Sequence, residues 1–185
     1  MRPSVMPTGV HDAEVPNAAA VARRYTFRPV SESDLPMIAN WLKAEHVQRW
    51  WPNPAEQLKE IRDTLGDAAV EAHVVGCGDR PIGYLQSYDV HAEWALGCYR
   101  DQPAGTRGID QFIGEADLVG LGHGPRFIAA MCDRLFAAGA PRVITDPDPA
   151  NERAVRAYQK AGFRMLDERT IPDGPVVLMA RDRAS

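Results

Sequence analysis

Glycine recurs at every second position from 120 to 124 in the run Val119-Gly120-Leu121-Gly122-His123-Gly124-Pro125-Arg126. Such a run lets the backbone turn tightly and lets a ligand approach it, because no Cβ stands in the way. Residues 108–113 before it read as a strand. After it, Phe127, Ile128, Met131, Leu135 and Phe136 recur at helical spacing, so residues 125–138 read as an amphipathic helix. Strand, glycine turn and helix then follow in order. The first N–H groups of that helix have no partner within it and carry the positive end of its dipole, which makes the turn a site for an anion such as a pyrophosphate. A plain glycine turn would account for the run equally well. The run lacks the GK[ST] of a P-loop and the spacing of a dinucleotide fingerprint.

The elements around this core are legible from periodicity and punctuation. Residues 25–30 read as a strand, with the fold starting near residue 23. Ser31-Glu32-Ser33-Asp34 forms a capping box ahead of Leu35, Ile38, Trp41 and Leu42 at helical spacing. Residues 55–65 form a second helix closed by Gly66. Residues 70–75 and 82–90 form a hairpin about Gly78-Asp79-Arg80-Pro81, and residues 91–106 form a loop. Residues 142–145 are a short buried strand. A helix over 150–161 is capped by Asp148, has Pro149 at its first position and ends at Gly162. Residues 163–170 and 176–180 pair across Pro172-Asp173-Gly174-Pro175. The order β-α-α-β-β-β-α-β-α-β-β predicts an α/β domain with a mixed sheet and helices on both faces. Residues 1–22, rich in Pro, Ala and small polar residues, read as a disordered tail. Residues 23–185 make one domain.

Composition narrows the function classes. A net charge of −4 argues against a nucleic-acid partner, which needs a basic face. No apolar run is long enough for a membrane span, and no signal-peptide pattern opens the chain. Cys77, Cys98 and Cys132 are isolated, so neither a disulfide framework nor a metal site is expected. These features describe a cytoplasmic protein with reduced thiols, a monomer or homodimer, bound neither to nucleic acid nor to membrane.

A second motif runs from Asp146 to Phe163, DPDPANERAVRAYQKAGF. A strand ends, Asn151 lies near a helix start, Tyr158 falls late in that helix, and Ala-Gly-Phe closes it. By itself this is a well-capped helix with a buried tyrosine. Taken with the glycine run, it resembles the GNAT superfamily of acetyl-CoA-dependent N-acetyltransferases over residues 24–180. The resemblance implies a central, mostly antiparallel sheet with acetyl-CoA as cosubstrate. It also implies a pyrophosphate cradle at Val119, Gly120, Gly122, His123, Gly124 and Arg126, with Asn151, Ala154 and Tyr158 along the pantetheine. Three further stretches are similar to the aminoglycoside 6′-N-acetyltransferase branch: Trp41-Leu42…His46-Val47…Trp50-Trp51, residues 81–88 (PIGYLQSY), and Arg107-Gly108-Ile109-Asp110-Gln111. Siderophore-type lysine acyltransferases share part of this pattern. The chain departs from the branch at Pro125, which lacks an N–H, and at Val119. It also departs in residues 91–106, where Glu93 and Asp101 are the only acids.

On this resemblance Asp110 is the general base and Asp146 helps hold the substrate. Read as chemistry, a protonated amine must lose a proton before it attacks a thioester, and a carboxylate at Asp110 can take it. A salt bridge from Asp110 to Arg107 is the structural alternative. A strand N–H near residues 111–113 would stabilise the oxyanion, and Tyr158 would protonate the departing thiolate. Trp50, Trp51, Tyr84, Gln86 and Tyr88 are candidates for the substrate pocket. Glu93, Asp101, Asp110, Asp146 and Asp173 are expected to line one negative cleft for a small cationic amine.

Overall fold

The computed structural model describes residues 25–92, 97–172 and 174–184. The expected tail, and the calls on Glu93 and Asp173, lie outside the described residues. The strands are β1 (Tyr25–Pro29), β2 (Val70–Cys77), β3 (Arg80–Asp89), β4 (Arg107–Ile113), β5 (Arg142–Thr145), β6 (Arg164–Ile171) and β7 (Gly174–Asp182). The helices are α1 (Leu35–Leu42), α2 (Glu45–Gln48), α3 (Pro54–Asp63), α4 (His123–Ala137) and α5 (Glu152–Lys160). The strands form a single mixed sheet in the order β1-β2-β3-β4-β5-β7-β6. Every neighbouring pair is antiparallel except β4–β5.

Two hydrophobic clusters explain why helices cover both faces. Phe127, Ile128 and Met131 of α4 and Tyr158 of α5 pack with Val75, Leu85 and Ile109 of the sheet. On the other face, Leu35, Ile38 and Leu42 of α1 and Ile61 of α3 pack with Val74, Tyr84 and Phe112. Neighbouring strand residues thus feed opposite layers, as the pleat requires.

The expected capping box is present: Asp34 accepts from the Ser31 N–H at 2.9 Å and from the Ser31 hydroxyl at 2.8 Å. Arg28 grips the same carboxylate at 2.7 and 2.8 Å and holds its pKa well below the usual range. The start of α5 differs from expectation. The helix begins at Glu152, and its cap is Asn151, whose side chain accepts from the Ala154 N–H at 3.1 Å. Asp148 closes the preceding turn by accepting from the Ala150 N–H at 2.7 Å, so Pro149 lies before the helix. Two good caps stand three residues apart, and the inner one wins because residues 149 and 150 are spent on a turn.

The feature that positions the site is the parting of β4 from β5. Their pairing is confined to Arg107↔Val143 and Gly108↔Ile144. Gly108 is a glycine for a local reason: a Cβ there would come within 2.3 Å of the Tyr88 ring. Beyond Gly108 the strands splay, and the edge of β4 from Asp110 to Ile113 is left open on that side.

Candidate active site

The open edge forms one wall of a cavity of about 280 Å³. Gln111, Phe112 and Ile113 supply this wall. Val119, Gly120, Gly122 and Gly124 supply a second, and Asn151, Ala154 and Ala157 of the α5 segment a third. Strand alternation fixes what β4 offers. The Gly114 N–H donates to the Ile82 carbonyl at 2.9 Å, continuing the β3–β4 ladder. The backbone groups of Phe112 and Asp110 therefore turn to β3, and those of Gln111 and Ile113 turn away from it, toward the cavity. His46 lends support, since its Nε2 lies 2.9 Å from the Ile113 carbonyl oxygen.

The glycine turn is built as its sequence requires. Gly120 and Gly122 have φ of +83° and +79°, in the left-handed region that side chains avoid. Gly122 is the N-cap of α4, so the first N–H groups of that helix lack intrahelical partners. Pro125 removes one donor from this set. The His123 side chain is buried, with Nδ1 3.0 Å from the Tyr25 hydroxyl, so this residue offers its backbone to the turn. Arg126 is exposed, and its guanidinium carbon lies 4.0 Å from where a Cβ on Gly122 would be.

Next to this cavity is an acidic and phenolic cluster. Gln86 lies directly across the ladder from Asp110 and donates Nε2 to its Oδ2 at 2.9 Å. The Tyr84 hydroxyl donates to Gln86 Oε1 at 2.8 Å, which fixes the amide so that its NH₂ faces the acid. The Tyr99 hydroxyl donates to Asp146 at the end of β5. Both acids are partly open to solvent. Burial first, and then the charge of Asp146, push the Asp110 carboxyl up to about 7, against the Gln86 hydrogen bond. Burial also raises Asp146, with the Tyr99 bond working against it. Tyr158 is raised chiefly by burial, opposed by Thr145 and Gln111, and further raised by both acids. Its phenol is therefore protonated at neutral pH.

Not every sequence candidate is brought to the open space. Trp50 and Trp51 line the cavity. Tyr84 is fully buried, stacked on Phe112 at 5.4 Å and edge-on to Trp51, so it acts behind Gln86 rather than on a ligand. Tyr88 is part of the cluster and is raised by burial and by Asp110 and Asp146. Asp101 pairs with Arg169 at 2.7 Å, a cation it shares with Asp167 at 3.1 Å. Arg107 pairs with Glu71 at 3.3 Å, not with Asp110. No motif marked Tyr99 or Arg169. Arg153, Arg156 and Lys160 of α5 also face the cavity. Their spacing of three and four along a helix was visible in the sequence, where it reads as an ordinary solvated face.

A sheet splayed at β4–β5, a glycine turn at a helix start and a carboxylate beside the splay are the parts a group-transfer enzyme needs: an anion cradle, an open strand edge for a carbonyl and a base. The family model described as "Acetyltransferase (GNAT) domain" matches residues 30–171. The chain belongs to the GNAT family of acetyl-CoA-dependent N-acetyltransferases. It is 34% identical over 166 residues to an aminoglycoside N(6′)-acetyltransferase type 1 of Klebsiella pneumoniae, covering 85% of this chain and 83% of that one. It is 28% identical over 172 residues to a lysine N-acyltransferase of Mycolicibacterium paratuberculosis, covering 85% and 73%. A crystal structure of aminoglycoside acetyltransferase AAC(6′)-Ib with coenzyme A and kanamycin superposes with a TM-score of 0.75 at 35% identity, covering 86% and 95%. Among the described residues, no helix is long and apolar enough to cross a membrane.

Proposed function

We propose that this enzyme acetylates the 6′-amine of an aminoglycoside by direct transfer, within a domain spanning residues 23–185 and in the cytoplasm. The observation that carries the reading is the pair Asp110 and Asp146. Asp110 on the open strand β4 and Asp146 just past β5 are both partly open to solvent, and each is held by one donor, Gln86 and Tyr99 respectively; the charge of Asp146 acts on Asp110. Holding like charges together is costly, and a cationic ligand relieves the cost. The kinship to aminoglycoside acetyltransferases supports the same acceptor.

Acetyl-CoA supplies the activated acyl group, and its pyrophosphate would be held by the N–H groups at the start of α4 and by Arg126. Asp110, pushed up to about 7, takes the proton from the acceptor ammonium, directly or through one water. The Gln111 and Ile113 backbone on the open edge of β4 offers N–H groups to the thioester carbonyl and its oxyanion. Tyr158, protonated at neutral pH, donates to the departing thiolate. No covalent acyl-enzyme is needed.

The pairing of Asp101 with Arg169 favours a second acceptor, a lysine-type amine, because among the described residues this carboxylate already has a cation partner. Thiol release from acetyl-CoA, measured against kanamycin, tobramycin and lysine-type amines, separates the two. Turnover of the aminoglycosides with acetyl on the 6′-amine supports the first reading. Turnover of the lysine-type amines alone replaces it with the second.

A further inference from the structure

Tyr99 stands outside every motif that led to the site, yet it is the group that holds Asp146. It lies in a single 3-10 turn, Gly97–Tyr99, between β3 and β4, and is 4% exposed. Its hydroxyl donates to Asp146 Oδ2. The guanidinium of Arg169 lies over its ring, 5.8 Å from the centroid. Arg169, on β6, forks the two oxygens of Asp101 at 2.9 and 2.7 Å and also donates to the Cys98 carbonyl. One side chain from the far strand thus grips the turn on both sides of Tyr99.

We propose that Tyr99 is a positioning residue that sets Asp146 to receive a second ammonium group of the acceptor, while Asp110 takes the proton from the reacting amine. The inference rests on the small-polyamine reading of the acceptor. Its physical basis is that Asp146 lies beside another carboxylate in a partly dry site. Such a group turns away or takes up a proton unless a donor holds it in place and in its charged form. Tyr99 is that donor, and the Arg169–Asp101 pair holds the donor still. Among the described residues, with Asp101 paired to Arg169, the division of labour is one acid for chemistry and one for recognition. The substrate class this selects carries a second amine near the reacting one, and it disfavours monoamines.

The test is a double-mutant cycle in steady-state kinetics with kanamycin. Tyr99→Phe removes only the hydroxyl. It should raise the kanamycin KM about tenfold, the scale of a hydrogen bond to a charged group, with kcat and the acetyl-CoA KM nearly unchanged. Asp146→Asn should raise the kanamycin KM at least as much and, by removing a charge that acts on Asp110, move the Asp110 limb of the kcat profile to lower pH; the kanamycin KM of the double variant should be no worse than that of Asp146→Asn alone, because Tyr99 acts through Asp146. Arg169→Gln, which keeps the hydroxyl and frees the turn, should raise the kanamycin KM in the same direction by less. An unchanged kanamycin KM in Tyr99→Phe, or effects that simply add in the double variant, overturns the inference. If the wild type turns over a lysine-type diamine and no aminoglycoside, the acceptor reading fails by itself. The same cycle with that diamine then decides the role of Tyr99.

Discussion

At the end of the cavity under α4, the lining groups are the glycine backbone at the start of that helix and the cations of α5. Beside Asp110 there are two partly open carboxylates, with the phenols of Tyr84, Tyr99 and Tyr158 buried around them. The first end recognises an anion through main chain and needs few particular side chains. The second manages protons and cations, and every group in it depends on the charge of its neighbours. On the proposed mechanism an amine is deprotonated beside Asp110 while the negative charge of the CoA is held at the glycine turn. The contrast teaches that damage at one end should leave the affinity at the other intact.

The strongest way to break this contrast is at Asp110. Asp110→Asn should lower kcat by about 10²-fold, the scale of a lost general base, while calorimetry finds the CoA affinity unchanged. Near-normal turnover would reduce Asp110 to a structural acid. The complementary change is Gly122→Val. Its φ of +79° places a β-branched residue in the left-handed region. CoA affinity should fall about tenfold, as expected for roughly 1–2 kcal/mol of strain at the cradle, and the acceptor KM should hold. Equal losses on both sides would mean that the two ends are one cooperative unit. The smallest effect is on stability. The Asp110 carboxyl is raised above its unfolded value, so its contribution to stability is fully present below the unfolded pKa and is lost as pH rises through about 7. Asp110→Asn removes that loss. The variant should melt higher than wild type by several degrees at pH 8, and the gain should vanish as pH falls toward 4. Equal melting temperatures at pH 8 would mean that the carboxylate costs the fold nothing.

The two ends also differed in how far the sequence disclosed them. The glycine run, the buried stripe of α4 and the Asn151–Tyr158 helix are local patterns, and local patterns survive in one dimension. The sheet class followed from the order of elements for the same reason. The start of α5 was misjudged because Asp148-Pro149 and Asn151 are both good caps, and only packing chooses between them. The acceptor end was half legible. Asp110 and Gln86 were named as candidates, but their pairing depends on the β3–β4 register. Tyr99, Arg169 and Asp101 come from two segments almost seventy residues apart, and no spacing rule connects them. Asp101 looked like a free acid because its partner was invisible from the loop.

On the proposed mechanism Asp110 is a base poised near neutrality by burial and by the charge of Asp146. The pH profile of kcat/KM for the acceptor tests it most directly, measured in wild type and in Asp110→Asn. Wild type should lose activity as pH falls through about 7, because the carboxyl takes up its proton there. Asp110→Asn should be slow at every pH and should lack that limb. A wild-type limb near 4, or a limb near 7 that persists in Asp110→Asn, would contradict the account.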